Sequence, residues 1–364
     1  MNTLKRSRLW ITILTFLLVA FGIYMVYSAS NIWAEAKFQD RFYYLKRQAL
    51  FASLGAIGFF LSSRIPSSFL KKNAIWFVTI SLILLMLVLI PGIGIIRNGS
   101  RSWFGIGSFA IQPSEIFKIA MVIYVSYVLS EHYDKTSRLR GFIGILVFMI
   151  LGFVLIMFQP DFGTAIVMLG SIVVLMFTSK LPIRYFVGIG VLGVGMMVVL
   201  ILIAPYRFDR IVSFIDPWSD PLGTGFQIIQ SMYALGPGAL LGNGLLNSYQ
   251  KHFYLPEPQT DFIFSIVVEE LGLIGGLLLI FAFMCLFVIG FLYAKKMEDS
   301  FDGFLITGLL GLIMIQVVIN LGVVVALFPV TGITLPLISY GGSSLTVCLI
   351  SLGLIVGRTN RKES

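Results

Sequence analysis

The sequence predicts an all-α polytopic membrane protein of about ten transmembrane helices, with a large polar loop between helices 7 and 8. Three observations carry that prediction. Hydrophobic residues make up 58% of the 364 and charged residues only 12%, with a mean hydropathy of +0.95, far more apolar than an ordinary soluble domain. Apolar runs long enough to cross ~30 Å of hydrocarbon at ~1.5 Å per residue recur about ten times. One long polar stretch, roughly 205–261, interrupts them and therefore belongs in water or at the membrane edge.

In order, the runs are roughly 9–29, 47–62, 73–91, 113–130, 142–159, 162–178, 185–204, 262–293, 303–327 and 342–357, so residues 1–364 read as a single membrane domain. Between the fifth and sixth, apolar character hardly lapses, but Pro160 and Asp161 favour a tight turn over a continuous helix. The first run resembles a signal peptide, with small residues at Ser28-Ala-Ser30. Its apolar part, Leu9 to Tyr27, exceeds a typical signal core and more spans follow, so it reads as retained. Of the 26 lysines and arginines, 16 fall on the side of the termini, 9 on the opposite side, and Lys118 inside a span. That asymmetry places both termini in the cytoplasm and the polar insert outside. It also accounts for the +9 charge as a topology signal, which leaves no argument for nucleic-acid binding. Cys285 and Cys348 lie in apolar runs, and with two histidines they cannot build a zinc or iron-sulfur cluster.

Chemistry-bearing residues gather on the insert side. Arg47 follows an aromatic-rich loop and either anchors the helix end at the interface or holds an anionic head group. The glycine-rich loop 91–112 carries Arg97-Asn-Gly-Ser-Arg101-Ser-Trp103, whose arginines either fork onto phosphate oxygens or simply line the interface. Gln112-Pro-Ser-Glu115 opens a helix, and Lys118 stands three residues later on the same face. An unpaired charge in hydrocarbon costs ~2.5 to 3.5 kcal/mol, so this pair faces a partner helix or a groove, as internal clamp or substrate wall. Asp161 is a helix N-cap or a reactive carboxylate.

Inside the insert, Tyr206-Arg-Phe-Asp-Arg210 sets two arginines three apart, and Gly225-Phe-Gln227 opens a second polar stretch. The glycines of Gly236 to Gly244 match a nucleotide fingerprint only weakly, having no strand before them. They fit better as a re-entrant or interfacial segment packed against protein. The last segment, Phe328 to Ser344, holds two prolines, three glycines and hydroxyls including Ser343. It is either the lead-in to the tenth span or part of a substrate pathway.

The carboxylates available as a general base are Glu115, Asp161, Glu257 and Asp261, with Glu269 and Glu270 deeper in the eighth span. Asp261 precedes Phe262-Ile-Phe264 behind Pro256 and Pro258 and is a cap or a base. Burial would raise its pKa and the helix dipole would lower it. No serine-histidine-acid arrangement exists, because His132 is on the terminal side and His252 stands alone. One-carboxylate chemistry needs a leaving group that departs without a proton. A pyrophosphate held by arginines and a divalent cation meets that need.

Arg97-Asn-Gly-Ser-Arg-Ser-Trp103, Gln112-Pro-Ser-Glu115 with Lys118, Gln159-Pro-Asp161, Leu255-Pro-Glu-Pro-Gln-Thr-Asp-Phe-Ile-Phe264 and Pro329-Val-Thr-Gly-Ile-Thr-Leu-Pro336 through Ser344 closely resemble the SEDS family. These are the shape, elongation, division and sporulation proteins of the bacterial cell wall. The loops are nearer the division and sporulation branch than the elongation branch.

The resemblance implies a peptidoglycan glycosyltransferase that polymerises lipid II on the outer face of the cytoplasmic membrane. It implies Asp261 as the catalytic carboxylate, with Arg207, Arg210, Glu115 and Lys118 around a central cavity; Arg47, Arg101, Asp161, Gln227 and Ser343 are further substrate-binding candidates from their place on the insert side. Mg²⁺ or Mn²⁺ is expected with the diphosphate, and no organic cofactor. Expected partners are lipid II and the growing strand, a class B penicillin-binding protein, and other division or sporulation membrane proteins. Gln259 stands where many relatives carry histidine and Phe226 where tyrosine is common, which puts in doubt any mechanism needing an imidazole there. A lipid II flippase and a scaffold of the division machinery are the rival expectations.

Overall fold

The computed structural model describes residues 3–97, 99–106, 109–132, 139–179, 181–203, 213–236 and 238–360. Within them the apolar runs become α1 (Thr3–Phe38), α2 (Tyr43–Ser62), α3 (Ser67–Leu87), α4 (Pro113–Glu131), α5 (Leu139–Phe158), α6 (Phe162–Thr178), α7 (Ile183–Ile203), α9 (Ile263–Ala294), α10 (Ser300–Val324) and α11 (Gly342–Val356), with one short helix of the insert, α8 (Phe226–Leu235). Each of the ten runs yields a helix because a chain in lipid must satisfy its backbone within the segment. The turn at Pro160 and Asp161 is real and separates α5 from α6.

The loop 91–112 differs from expectation. It forms a small antiparallel sheet of β1 (Ile95–Arg97), β2 (Ser100–Ile106) and β3 (Phe109–Ile111) in the order β1-β2-β3. Gly99 follows an asparagine between β1 and β2 and has a φ of +77°, the left-handed geometry of a two-residue hairpin.

Helices α4 and α10 form the centre. α4 packs on α3, α6 and α10, while α10 packs on α4, α6 and α9. α4 is buried almost throughout its length, and so it can carry a charged pair that a lipid-facing helix could not. α2 lies along α11, and α1 along α9. Around this centre, α1, α3 and α9 show lipid-suited apolar side chains outward, among them Leu17, Trp76, Leu278 and Phe281.

At the terminal end, Arg358 is buried. It approaches Asp302 at 3.8 Å and donates to Ser67 Oγ at 2.9 Å, while Ser67 donates to Asp302 at 2.7 Å. Lys71 joins Asp299 at 2.9 Å and Glu131 at 3.1 Å. Part of the positive charge counted as a topology signal therefore also ties α3, α4, α10 and the C-terminal segment together.

α9 is interrupted at Gly272, with φ of 71° and ψ of −176°. The insert repairs the break. Leu273 N donates to Ala239 O at 3.0 Å and Ile274 N to Leu240 O at 3.3 Å, while Asn243 N and Gly244 N donate to the carbonyls of Glu269 and Glu270 at 2.9 and 3.0 Å. The glycine-rich stretch after Gly236 is thus packed against protein, its backbone satisfied by the broken helix. A Cβ at Gly272 would strike Leu240 O and Gly242 N as well as forcing a left-handed φ. Gly272→Ala is accordingly expected to destabilise the folded protein by about 2 kcal/mol or more, read as a lowered melting temperature in detergent, whereas Gly188→Ala on α7, with open space around it, leaves the melt unchanged.

Candidate active site

The site is built at the insert end of the α4 and α10 core. The Gln112-Pro113 start of α4 puts Glu115 in the first turn and Lys118 one turn on, and they pair at 2.8 Å with side-chain exposures of 8% and 2%. Lys118 Nζ also reaches Gln316 Oε1 of α10 at 3.5 Å. Between a substrate wall and an internal clamp, this enclosure has the geometry of the clamp.

Gln316 carries the connection onward. Its Nε2 donates to Thr334 O at 3.1 Å and lies 3.3 Å from Ser344 Oγ, which is itself 3.3 Å from the Thr334 hydroxyl. Four residues later on the same face of α10, Asn320 Nδ2 donates to Ile333 O and to Asp261 O, both at 2.7 Å. The irregular segment 328–341 is therefore held by two amides of one helix. A single path of hydrogen bonds and one peptide link runs from Glu115 through Lys118, Gln316, Thr334, Ile333 and Asn320 to the Asp261 backbone.

Asp161 joins from α6. It caps that helix, accepting from Thr164 N at 3.2 Å, and its other oxygen accepts from Gln112 Nε2 at 2.7 Å. Burial raises its pKa, against hydrogen bonds from Thr164 that lower it. Next to it, Gly163 lets α6 approach Thr331 O and the Ile333 side chain so closely that a Cβ there would lie 2.7 Å from each. Ser343 accepts from Gln112 N at 3.2 Å and donates to Ala110 O at 2.8 Å, tying α11 to β3 and α4.

Asp261 lies in the turn before α9, one residue outside the Phe262 N-cap, and is partly exposed. The Thr260 hydroxyl sits 2.9 Å from its Oδ1 and 2.7 Å from Glu257 O. Gln259 is buried, its Oε1 has no hydrogen-bond partner, and its carbonyl accepts from Tyr340 N at 2.8 Å. Tyr340 in turn meets Tyr44 edge-on at 4.9 Å, and Gln48 donates to Ser339 O at 3.0 Å.

Glu269 and Glu270 are taken up elsewhere. Glu270 accepts from Ser28 of α1 at 2.6 Å and pairs with Lys251 at 3.2 Å, both ions fully enclosed. Glu269 accepts from Ser248 Oγ and from Tyr249 N, the latter at 2.8 Å. These two carboxylates fasten the end of the insert to α9.

Glu115, Lys118, Asp161, Ser343 and Asp261 are thus brought into one network. Arg47 stacks on Tyr43 with its guanidinium 5.1 Å from the ring, and Arg101 reaches Leu89 O at 3.4 Å beyond the end of α3. Gln227 is partly buried on α8, whose Ser231 donates to Val324 O at 2.9 Å. Arg207 and Arg210 lie outside the described residues. Gln316 and Asn320 are additions. The signal that marks them is two amides one turn apart in an otherwise apolar span.

The cell cycle protein family model covering FtsW, RodA and SpoVE matches residues 8–363. The chain belongs to this family. Stage V sporulation protein E of Bacillus subtilis (strain 168) is 49% identical over 358 residues, 98% of either chain. A probable peptidoglycan glycosyltransferase FtsW of Geobacter metallireducens is 39% identical over 364 residues, 100% of this chain and 97% of its own. Among solved structures, rod shape determining protein RodA of Thermus thermophilus superposes with a TM-score of 0.71 at 29% identity, covering 95% of this chain and 94% of that one. A chain from a structure on coordination of polymerization and crosslinking by a peptidoglycan synthase complex gives 0.77 at 32% identity, covering 95% of each.

In this FtsW/RodA/SpoVE chain, Lys118 is buried with its charge compensated chiefly by Glu115. Lys118→Met leaves that carboxylate stranded and is expected to cost about 3 to 5 kcal/mol. The double variant Glu115→Gln/Lys118→Met, which strands no charge, is expected to recover much of the loss, as measured by melting temperature.

Proposed function

We propose that this chain is a peptidoglycan glycosyltransferase that polymerises lipid II into β-1,4 glycan strands during division or sporulation, with Asp261 as general base. The relatives named as glycosyltransferases match it end to end, which supports the reaction class. The choice of base rests on the resemblance of 255–264 to the family's motif, and one observation supports it. Glu115 is paired with Lys118, Asp161 caps α6 and holds Gln112, and Glu269 and Glu270 fasten the insert, while Asp261, like Glu257, is partly exposed on the turn before α9, and the Asp261 carbonyl is held from α10.

In this reading Asp261 removes the proton from the 4-hydroxyl of the acceptor GlcNAc. The hydroxyl oxygen bonds to the anomeric carbon of the donor, the bond from that carbon to the phosphate oxygen breaks, and undecaprenyl pyrophosphate leaves. Inversion turns the α-linked phosphate into a β-1,4 linkage. The pyrophosphate takes the electron pair without needing a proton, so a single carboxylate suffices and Gln259 in place of an imidazole is no obstacle.

Arg207 and Arg210 are the residues we assign to the diphosphate charge, with the Glu115–Lys118 pair a clamp that positions α4 against α10. No group of three or more histidine, cysteine or acidic side chains suited to a metal converges among the described residues. Mg²⁺ or Mn²⁺ enters with the diphosphate. The charge asymmetry supports cytoplasmic termini and an insert on the outer face, where a class B penicillin-binding protein crosslinks the product.

The test incubates the purified protein in detergent with lipid II and Mg²⁺ or Mn²⁺, with and without that partner, and sizes the strands on a gel. Wild type is expected to make long strands. Asp261→Asn should fold and lose about 10²- to 10⁴-fold in rate, while Glu257→Gln keeps polymerising. Equal strands from Asp261→Asn would move the base to Glu257. No strands from wild type under any of these conditions would turn the reading to lipid II translocation, measured by a leaflet assay.

A further inference from the structure

We propose that Asn320 is a positioning residue for the general base, holding the Asp261 turn and the Ile333 backbone at one fixed separation; this rests on the transferase reading. Asn320 is 1% exposed and its Nδ2 donates to both carbonyls at 2.7 Å. Two acceptors fix the orientation of the amide, since rotating it by half a turn would set Oδ1 against both carbonyl oxygens. That Oδ1 is buried and has no hydrogen-bond partner. A polar group kept in a helix core with one half unsatisfied is there for the other half, and here the other half is two donors.

The two carbonyls belong to the two irregular pieces of backbone at the insert end. One precedes α9 and carries Asp261. The other, 328–341, is held a residue further on by Gln316, whose Oε1 meets Lys118. Neither piece has a helix ladder to fix it, so their separation is set by Asn320 of α10 at one end and by the bond from Tyr340 N to Gln259 O at the other. A base displaced by about 1 Å loses about 10²-fold in rate, and Asn320 acts on the rate through Asp261 without touching substrate.

The experiment measures kcat and KM for lipid II in wild type, Asn320→Ala, Asn320→Asp and Asn320→Ser, with Asp261→Asn as the control for the reading beneath it. Asn320→Ala is expected to lower kcat by about 10- to 100-fold with KM within about twofold of wild type. Asn320→Asp keeps the shape, loses the paired donors and falls at least as far. Asn320→Ser keeps one donor and is intermediate; it carries the test should the alanine variant fail to fold.

Hydrogen exchange supplies a readout that needs no activity, with faster exchange expected in Asn320→Ala or Asn320→Ser at residues 259–264 and 331–336 and not in α4. Full kcat in the alanine or aspartate variant, a loss confined to KM, or unchanged exchange at both segments overturns the proposal. If wild type makes no strands, the transferase reading fails on its own control, while the exchange result still decides whether Asn320 holds the two segments.

Discussion

The insert end of this protein depends on one constraint: irregular backbone enclosed by a helical bundle must find hydrogen-bond partners inside it. Residues 328–341 and the turn carrying Asp261 have no ladder of their own, and over the buried part, 335–339, water is not at hand to replace one. Two amides from α10 supply donors to Asp261, Ile333 and Thr334, and side chains of α2 and α11 add partners at Ser339 O and the Thr334 hydroxyl. The solution is rigid because each amide serves more than one partner. Moving 328–341 would break contacts to α2, α10 and α11 together, so the turn that carries the carboxylate is placed by the bundle.

The same constraint explains the insert's other attachment. A break at Gly272 frees amides and carbonyls in α9, and the loop 239–244 takes them up in pairs. Glu269 and Glu270 then add side-chain acceptors for Ser248, Tyr249, Lys251 and Ser28. Two adjacent buried carboxylates would be costly if left bare, by several kcal/mol each. One cation and at least four donors around them make the cluster a fastening, and Asp261 rides on the short piece of α9 that it fastens.

Ten helices were legible because a span in lipid announces itself by an uninterrupted apolar run. The charged pair Glu115 and Lys118 was legible for the opposite reason, since only a partner or a groove tolerates it. The small sheet was not, although Asn98-Gly99 carries the hairpin signal, because two of its three strands are only three residues long and leave almost no periodicity. Asn320 and Gln316 stand in a run whose apolar character two amides barely change, and their partners lie 13 to 198 residues away in sequence. Arg358 reads as a tail charge and is buried against Asp302 and Ser67, a contact set by packing of three separate elements.

Gln259 brings these strands together. An imidazole at that position would be a natural proton partner for a neighbouring aspartate, and its replacement would be damaging if the chemistry needed a relay. Instead the Gln259 side chain is buried and its carbonyl anchors Tyr340, so the position's observed work is done by its backbone. That work is the same as Asn320's: joining the turn before α9 to the segment before α11. In the proposed reaction a leaving group that departs without a proton removes the need for a second acid, and what the site then requires is a well-placed carboxylate and positive charge for the diphosphate. The hydrogen bonds of the insert end serve the first of these requirements.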